Sequence, residues 1–210
     1  MLQLSRDLDC QYKTAFVLAH KIREALASET AGATLDNEVE VDGAYFGGHI
    51  RKEDRKDRRK AENQTGTRRV VIALRERGGR TLPFVRESEA EGVAIAREVV
   101  APGSALFADE ARHWDELELM FETTGRINHS LAYSADGKHT NWVESYFSRL
   151  RRMVQGQHHH VSPRYLYQYA NEAAWKEDHR RESNGELAGR MLGLAMAHPV
   201  SRMWAGYWQR

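Results

Sequence analysis

EVEVDGAYF, residues 38–46, places Val39 and Val41 on one face of an extended chain and Asp42 on the other. Alternation at period two marks a β-strand with one apolar face. Working outward, RRVVIALRER (68–77) predicts a second strand, Gly78-Gly79 a tight hairpin turn, and RTLPFVRES (80–88) a third strand. Ser88, three residues before Glu91, suits a capping box that opens a helix through SEAEGVAIAREVV, and Pro102-Gly103 ends it. SALFAD (104–109) reads as a short buried strand, 110–121 as a helix, and RINHS (126–130) as a further short strand. The loop SADGKHT leads into a helix from Asn141 to about Val154, and another helix covers 163–178. Three antiparallel-looking strands, a crossover helix, then short strands and helices make an α/β domain.

Upstream, LQLSRDLD predicts a short helix and YKTAFVLAHKIREAL a longer one, with Ala15, Leu18, Ile22 and Leu26 near one face. A short helix, a tight turn and a longer basic helix suit the second half of a helix-turn-helix, although packing alone produces such pairs as well. ETAGATLDN (29–37) is a linker of small and polar residues. The organisation read from the chain is a partial helix-turn-helix over 1–30, a catalytic domain over 37–178 and a helical tail over 179–210.

The chain has 210 residues, of which 41% are hydrophobic and 29% charged, which suits a folded core and excludes a disordered polyelectrolyte. No apolar run approaches a membrane span, and the N-terminus lacks the apolar stretch of a signal peptide. One cysteine, Cys10, excludes an internal disulfide and a Cys-rich zinc site, and points to a reducing cytoplasm. The net charge of +1 hides an asymmetry. His49–Arg69 carries nine Lys/Arg against four Asp/Glu, a local balance of +5, which leaves −4 for the remainder. A basic segment on a mildly acidic body suits contact with a polyanion, and equally suits a solvated loop.

Metal-dependent phosphodiester chemistry needs hard oxygen ligands on two ions about 4 Å apart. Three carboxylates stand out against apolar surroundings. Asp42 follows EVEV; Asp109 ends ALFA at the C-terminal end of a buried strand, where α/β sheets place ligands. Glu144 lies about a quarter-turn from the apolar stripe of Val143, Tyr146, Phe147, Leu150 and Val154, on the same line as Arg151. Taken singly, each aspartate could cap the element after it, and Glu144 could be a surface glutamate. Their joint order, strand-end Asp, strand-end Asp and helix Glu with 34 residues between the last two, points to a shared site.

These residues carry a resemblance. EVEVDGAYFGG (38–48), FADE (107–110), INHS (127–130), HTNWVESYFSRLRR (139–152) and HHHVSPRYLYQYANEAAWK (158–176) resemble the DDE transposases of bacterial insertion sequences. The similarity is to the group with an N-terminal zinc ribbon and helix-turn-helix, and YKTAFVLAHKIREAL looks like its recognition helix. It runs collinearly from about residue 4 to 178. The resemblance implies a ribonuclease-H-like fold with a mixed sheet and flanking helices, binding two Mg²⁺ ions for which Mn²⁺ can substitute. Asp42, Asp109 and Glu144 fall on the acidic triad and would be both catalytic residues and metal ligands. Arg151 falls where the family carries a DNA-contacting basic residue; Arg152, Asn141 and the loop cations Arg55, Lys56, Arg58, Arg59 and Lys60 complete the expected DNA contacts. His139 and Asn128 would support the site or serve buried hydrogen bonding.

The implied function is cleavage of DNA at the ends of an insertion sequence and transfer to target DNA, by a homo-oligomer on DNA. A structure-specific nuclease on the same fold and an inactive DNA-binding remnant are the alternatives. Two departures stand out. Gly43 follows the first aspartate, where the group usually has an acidic residue, and no CxxC pair precedes the catalytic region, so the chain reads as N-terminally shortened. His158–His160 are consecutive, which suits a loop or helix lead-in before Ser162-Pro163 better than three ligands on one ion.

Overall fold

The computed structural model describes residues 1–47, 68–127 and 139–207. The five loop cations and Asn128 lie outside the described residues.

Gly32–Asp178 pack as one unit. Its sheet has five strands: β1 (Glu38–Phe46), β2 (Arg69–Glu76), β3 (Thr81–Arg86), β4 (Ala105–Asp109) and β5 (Thr123–Ile127), in the spatial order β3-β2-β1-β4-β5. β1 runs antiparallel to β2 and β2 to β3, whereas β4 runs parallel to both β1 and β5. This mixed sheet, flanked by helices, is the ribonuclease-H-like arrangement that the sequence leads one to expect. Gly78 at the β2–β3 turn has φ +76°, a conformation that L side chains rarely adopt.

Pleating sorts the side chains into two cores. Val39, Val41, Ile72, Leu74, Leu106 and Ala108 face α3 (Glu91–Val99) and the buried Trp114. Ala44, Phe46, Val71 and Ala73 face α4 (Asn141–Arg152) and α5 (Pro163–Asp178), with Val143, Tyr146, Phe147 and Leu150 from α4. The stripe read from the sequence is the buried face of α4. Asp42 shares strand parity with Ala44 and Phe46, so it lies on the α4 side.

Buried charges tie the layers together. Arg75 and Glu177 pair at 3.0 Å with both side chains almost wholly enclosed, and Arg149 Nε donates to the same glutamate at 2.8 Å. Arg75 also donates to the Trp142 carbonyl. Burial pushes the Glu177 carboxyl up, but the hydrogen bonds and charges of Arg149 and Arg75 outweigh it and hold the pKa below the usual carboxylate range. Removing one partner of such a pair leaves an unpaired buried charge.

Several boundaries differ from the sequence reading. The helix read over 110–121 spans 112–119 and is wound as a 3₁₀ helix, with Arg126 donating to Asp109 O, Ala111 O and the Asp115 carboxylate beside it. α4 passes at Met153 into a π-helical turn that ends at His158. The capping box at Ser88 is half formed. Glu91 Oε1 accepts from the Ser88 N–H at 3.1 Å, while Ser88 Oγ accepts from Ala90 and not from Glu91. His158 packs edge-on against Tyr169 with ring centroids 4.6 Å apart, a structural role.

Met1–Ala31 and His179–Arg210 pack as a second unit, built from α1 (Leu2–Asp7), α2 (Tyr12–Ser28) and α6 (Asn184–Ala197). α2 buries Ala15, Val17, His20, Arg23, Ala25 and Leu26, and Leu18, expected on the buried face, is exposed. The reason is aromatic: Phe16 and His20 turn the helix toward Trp204 and Tyr207, with His20 and Trp204 stacked at 4.5 Å. α6 opens on a complete Ser183–Glu186 capping box. Among the described residues no helix is long and apolar enough to cross a membrane.

Candidate active site

The parallel register of β1 and β4 pairs Glu38 with Ala105, Val39 with Leu106 and Glu40 with Phe107. Continued two residues, it aligns Asp42 with Asp109. Adjacent strands lie about 4.8 Å apart, so the two carboxylates leave the sheet side by side. Each is anchored to its own backbone. Asp42 Oδ1 accepts from the Gly43 N–H at 2.7 Å, and Asp109 Oδ1 accepts from the Ala111 N–H at 3.1 Å.

Their proximity has an electrostatic consequence. Burial, then the negative charges of Asp109 and Glu89, raise the Asp42 pKa to about 7 against the pull of the Gly43 N–H and Arg151. Glu89 is itself raised, first by burial and then by Asp109, with Arg68 opposing. Crowded carboxylates of this kind are costly without a cation between them, and their oxygens are the donors that a hard divalent ion takes. The donor set therefore fits such an ion. Among the described residues no three His, Cys, Asp or Glu side chains converge closely enough to hold a metal as they stand, so a third ligand would have to move in.

Glu144 and Arg151 share one line of α4, and the Arg151 charge acts on Asp42. Glu144 Oε1 accepts from Thr140 Oγ1 at 3.1 Å. Asn141 is exposed at the first turn of α4. Arg152 is exposed and donates back to Ser148 O and Oγ, so its guanidinium is held along the helix and not over the sheet.

Two residues escaped the sequence reading. The first is Glu40, fully enclosed two positions before Asp42 on the same face of β1. Its Oε2 accepts from the N–H groups of Trp142 and Val143 at 2.8 and 3.1 Å, at the positive end of the α4 dipole. Its Oε1 lies 2.9 Å from both Arg77 Nε and His139 Nδ1. One carboxylate thus fixes the start of α4 against the strand that carries Asp42, and His139 belongs to this clamp. The second is Glu89, on the turn between β3 and α3. A Cβ at Gly43 would meet Glu89 Cγ at 2.6 Å and Oε1 at 2.7 Å, so the glutamate lies directly over the glycine. The absent side chain at Gly43, noticed as a departure, was the available signal.

A family model described as the ISXO2-like transposase domain matches residues 34–178. No curated protein and no solved structure gives a significant match.

Proposed function

Since the chain belongs to the ISXO2-like transposase domain family, we propose that it cuts and joins DNA by divalent-metal-dependent phosphoryl transfer, with Asp42, Asp109 and Glu144 as the site. The observation that carries this reading is the alignment of Asp42 and Asp109 on neighbouring parallel strands, with Asp42 raised to about 7 by burial and by like charge.

In the first reaction a water oxygen attacks phosphorus, the P–O3′ bond breaks, and a 3′-hydroxyl and a 5′-phosphate result. In the second, that hydroxyl attacks a target phosphodiester and displaces a new 3′-oxygen. Divalent ions, when bound, supply charge neutralisation for the attacking and leaving oxygens. Asp42 and Asp109 would hold them with oxygens oriented by the Gly43 and Ala111 N–H groups. Glu144 would complete the ligand set from α4, at a height set by the Glu40 clamp. Arg151 would balance phosphate charge beside Asp42. Asn141 and Arg152, exposed on the same helix, would contact the DNA backbone, as would Arg55, Lys56, Arg58, Arg59 and Lys60 of the basic segment, giving salt-dependent affinity. DNA ends and target DNA are the partners, and assembly on DNA as a homo-oligomer is expected, within the cytoplasm.

The test follows a labelled 3′-hydroxyl end in the presence of Mg²⁺ or Mn²⁺. Joined product supports strand transfer. Cut but unjoined DNA makes the chain a nuclease, and metal-independent binding with neither product makes it a DNA-binding remnant.

A further inference from the structure

Beyond the carboxylates, a groove of about 310 Å³ opens at the end of β1. Its polar lining comes from Tyr45, Gly47, Arg151, Gln155, His159 and His160; the rest of its wall is apolar, and among the described residues no carboxylate lines it. Three features set it apart from an ordinary surface crease.

First, it adjoins the candidate site. Arg151 both lines the groove and acts on Asp42, and Phe46, which also lines it, shares a face of β1 with Asp42. Second, its lining includes an exposed aromatic residue together with Arg151 and two histidines. Tyr45 is 41% exposed, and Arg68, outside the groove lining, lies 4.1 Å from its ring centroid. Third, its lining is strained. His159 has φ +58° and ψ −39°, in a three-residue turn closed by the His160 N–H donating to the His158 carbonyl at 2.6 Å. A non-glycine residue in that region costs about 1–3 kcal/mol, and such strain collects where a side chain must be presented. The π-helical turn just before it is a further departure that favours functional positions.

Aromatic faces beside basic side chains in a groove are how proteins hold single-stranded nucleic acid without reading its sequence. The volume is at the small end for a ligand pocket and suits one nucleotide better than a duplex. We propose that this groove is a nucleotide subsite, holding an unpaired nucleotide next to the scissile phosphate, with the base on Tyr45 and the phosphate among Arg151, His159 and His160. The location relative to the scissile phosphate rests on the functional reading above; the groove's preference for nucleotides does not.

The experiment uses the full chain in EDTA, so that cleavage plays no part, with a fluorescein-labelled oligothymidylate as probe. Tyr45→Ala should weaken binding by at least about fivefold, the low end of one stacked base, and His159→Gly, which removes a phosphate contact, should weaken it measurably as well. His159→Gly should melt no lower than the wild type, because glycine adopts φ +58° freely. Irradiation with 5-bromodeoxyuridine in the probe should place the adduct on Tyr45 or on His159–His160. Wild-type affinity in both variants, or equal competition by polyglutamate at matched charge, would overturn the subsite. A mapped adduct in a chain that never cuts DNA with Mg²⁺ would instead refute the functional reading and leave the subsite standing.

Discussion

Replacing Asp42 by asparagine should make the metal-free protein more stable. Asp42 has a folded-state pKa of about 7 against 3.8 for the free side chain, because burial and the charges of Asp109 and Glu89 disfavour ionisation. The folded state therefore binds the Asp42 proton more tightly than the unfolded chain does. The contribution of this group to stability is fully present below pH 3.8, falls as pH rises toward 7, and is constant above that. The shift of about 3 units sets a ceiling of about 4 kcal/mol on the cost of ionising Asp42 in the fold. Asp42 is only partly shielded from solvent, so we expect Asp42→Asn to gain about 1–3 kcal/mol at pH 8. Asparagine keeps an Oδ1 that can accept from the Gly43 N–H, so that bond is not a confounding loss. Urea denaturation in EDTA at pH 5 and pH 8 reads the effect, with a smaller gap at pH 5. A variant less stable than the wild type at pH 8 would refute the reasoning. It would mean that the ionised carboxylate is integral to the fold and is not held in reserve for a cation.

The remaining predictions are structural. Gly43→Ala should cost up to about 1 kcal/mol by thermal or urea melts, because its Cβ displaces the Glu89 side chain, which is flexible and only half-buried, and Glu89→Ala in the same chain should recover most of it. Independent, additive effects in that double-mutant cycle would show that the two residues do not touch. Glu177→Gln should cost about 3–5 kcal/mol by stranding the Arg75 charge. Because the Glu177 pKa is held low, the stabilisation it gives is present above the unfolded value of 4.5 and is lost as pH falls through the folded one; the variant should lack that part of the acid transition. Equal acid midpoints for variant and wild type would contradict this.

How much of this was visible in the sequence depended on the range of the interactions involved. Strand patterns such as EVEVDGAYF carry their own geometry at period two, and β1 runs from Glu38 to Phe46 as read. Asp42 and Asp109 stood out because each breaks an apolar run, and the parallel register of β1 with β4 then places them together. The helix read over 110–121 is wound as a 3₁₀ helix over 112–119, a type the pattern does not fix because spacings of three and four both fit so short a stretch. Arg126, a distant residue, holds the tighter winding. Glu40 looked like an ordinary solvent-side strand residue, since its burial comes from α4, Arg77 and His139 closing over it. Glu89 was hidden among the acidic residues of ESEAE, where nothing local separates one glutamate from the next. Only Gly43, brought against it by the fold, singles it out. Leu18 was assigned to the wrong face because the aromatic cluster of Phe16, His20 and Trp204 sets the rotation of α2.

The central claim is that Asp42 and Asp109 form one metal-dependent phosphodiester centre, and the most direct measurement compares strand cleavage with DNA binding in Asp109→Asn. The wild type should cut labelled DNA with Mg²⁺ or Mn²⁺ and not in EDTA, while Asp109→Asn should bind the same DNA with near-wild-type affinity and leave it uncut. Cleavage by Asp109→Asn at the wild-type rate would contradict the claim and remove Asp109 from the site.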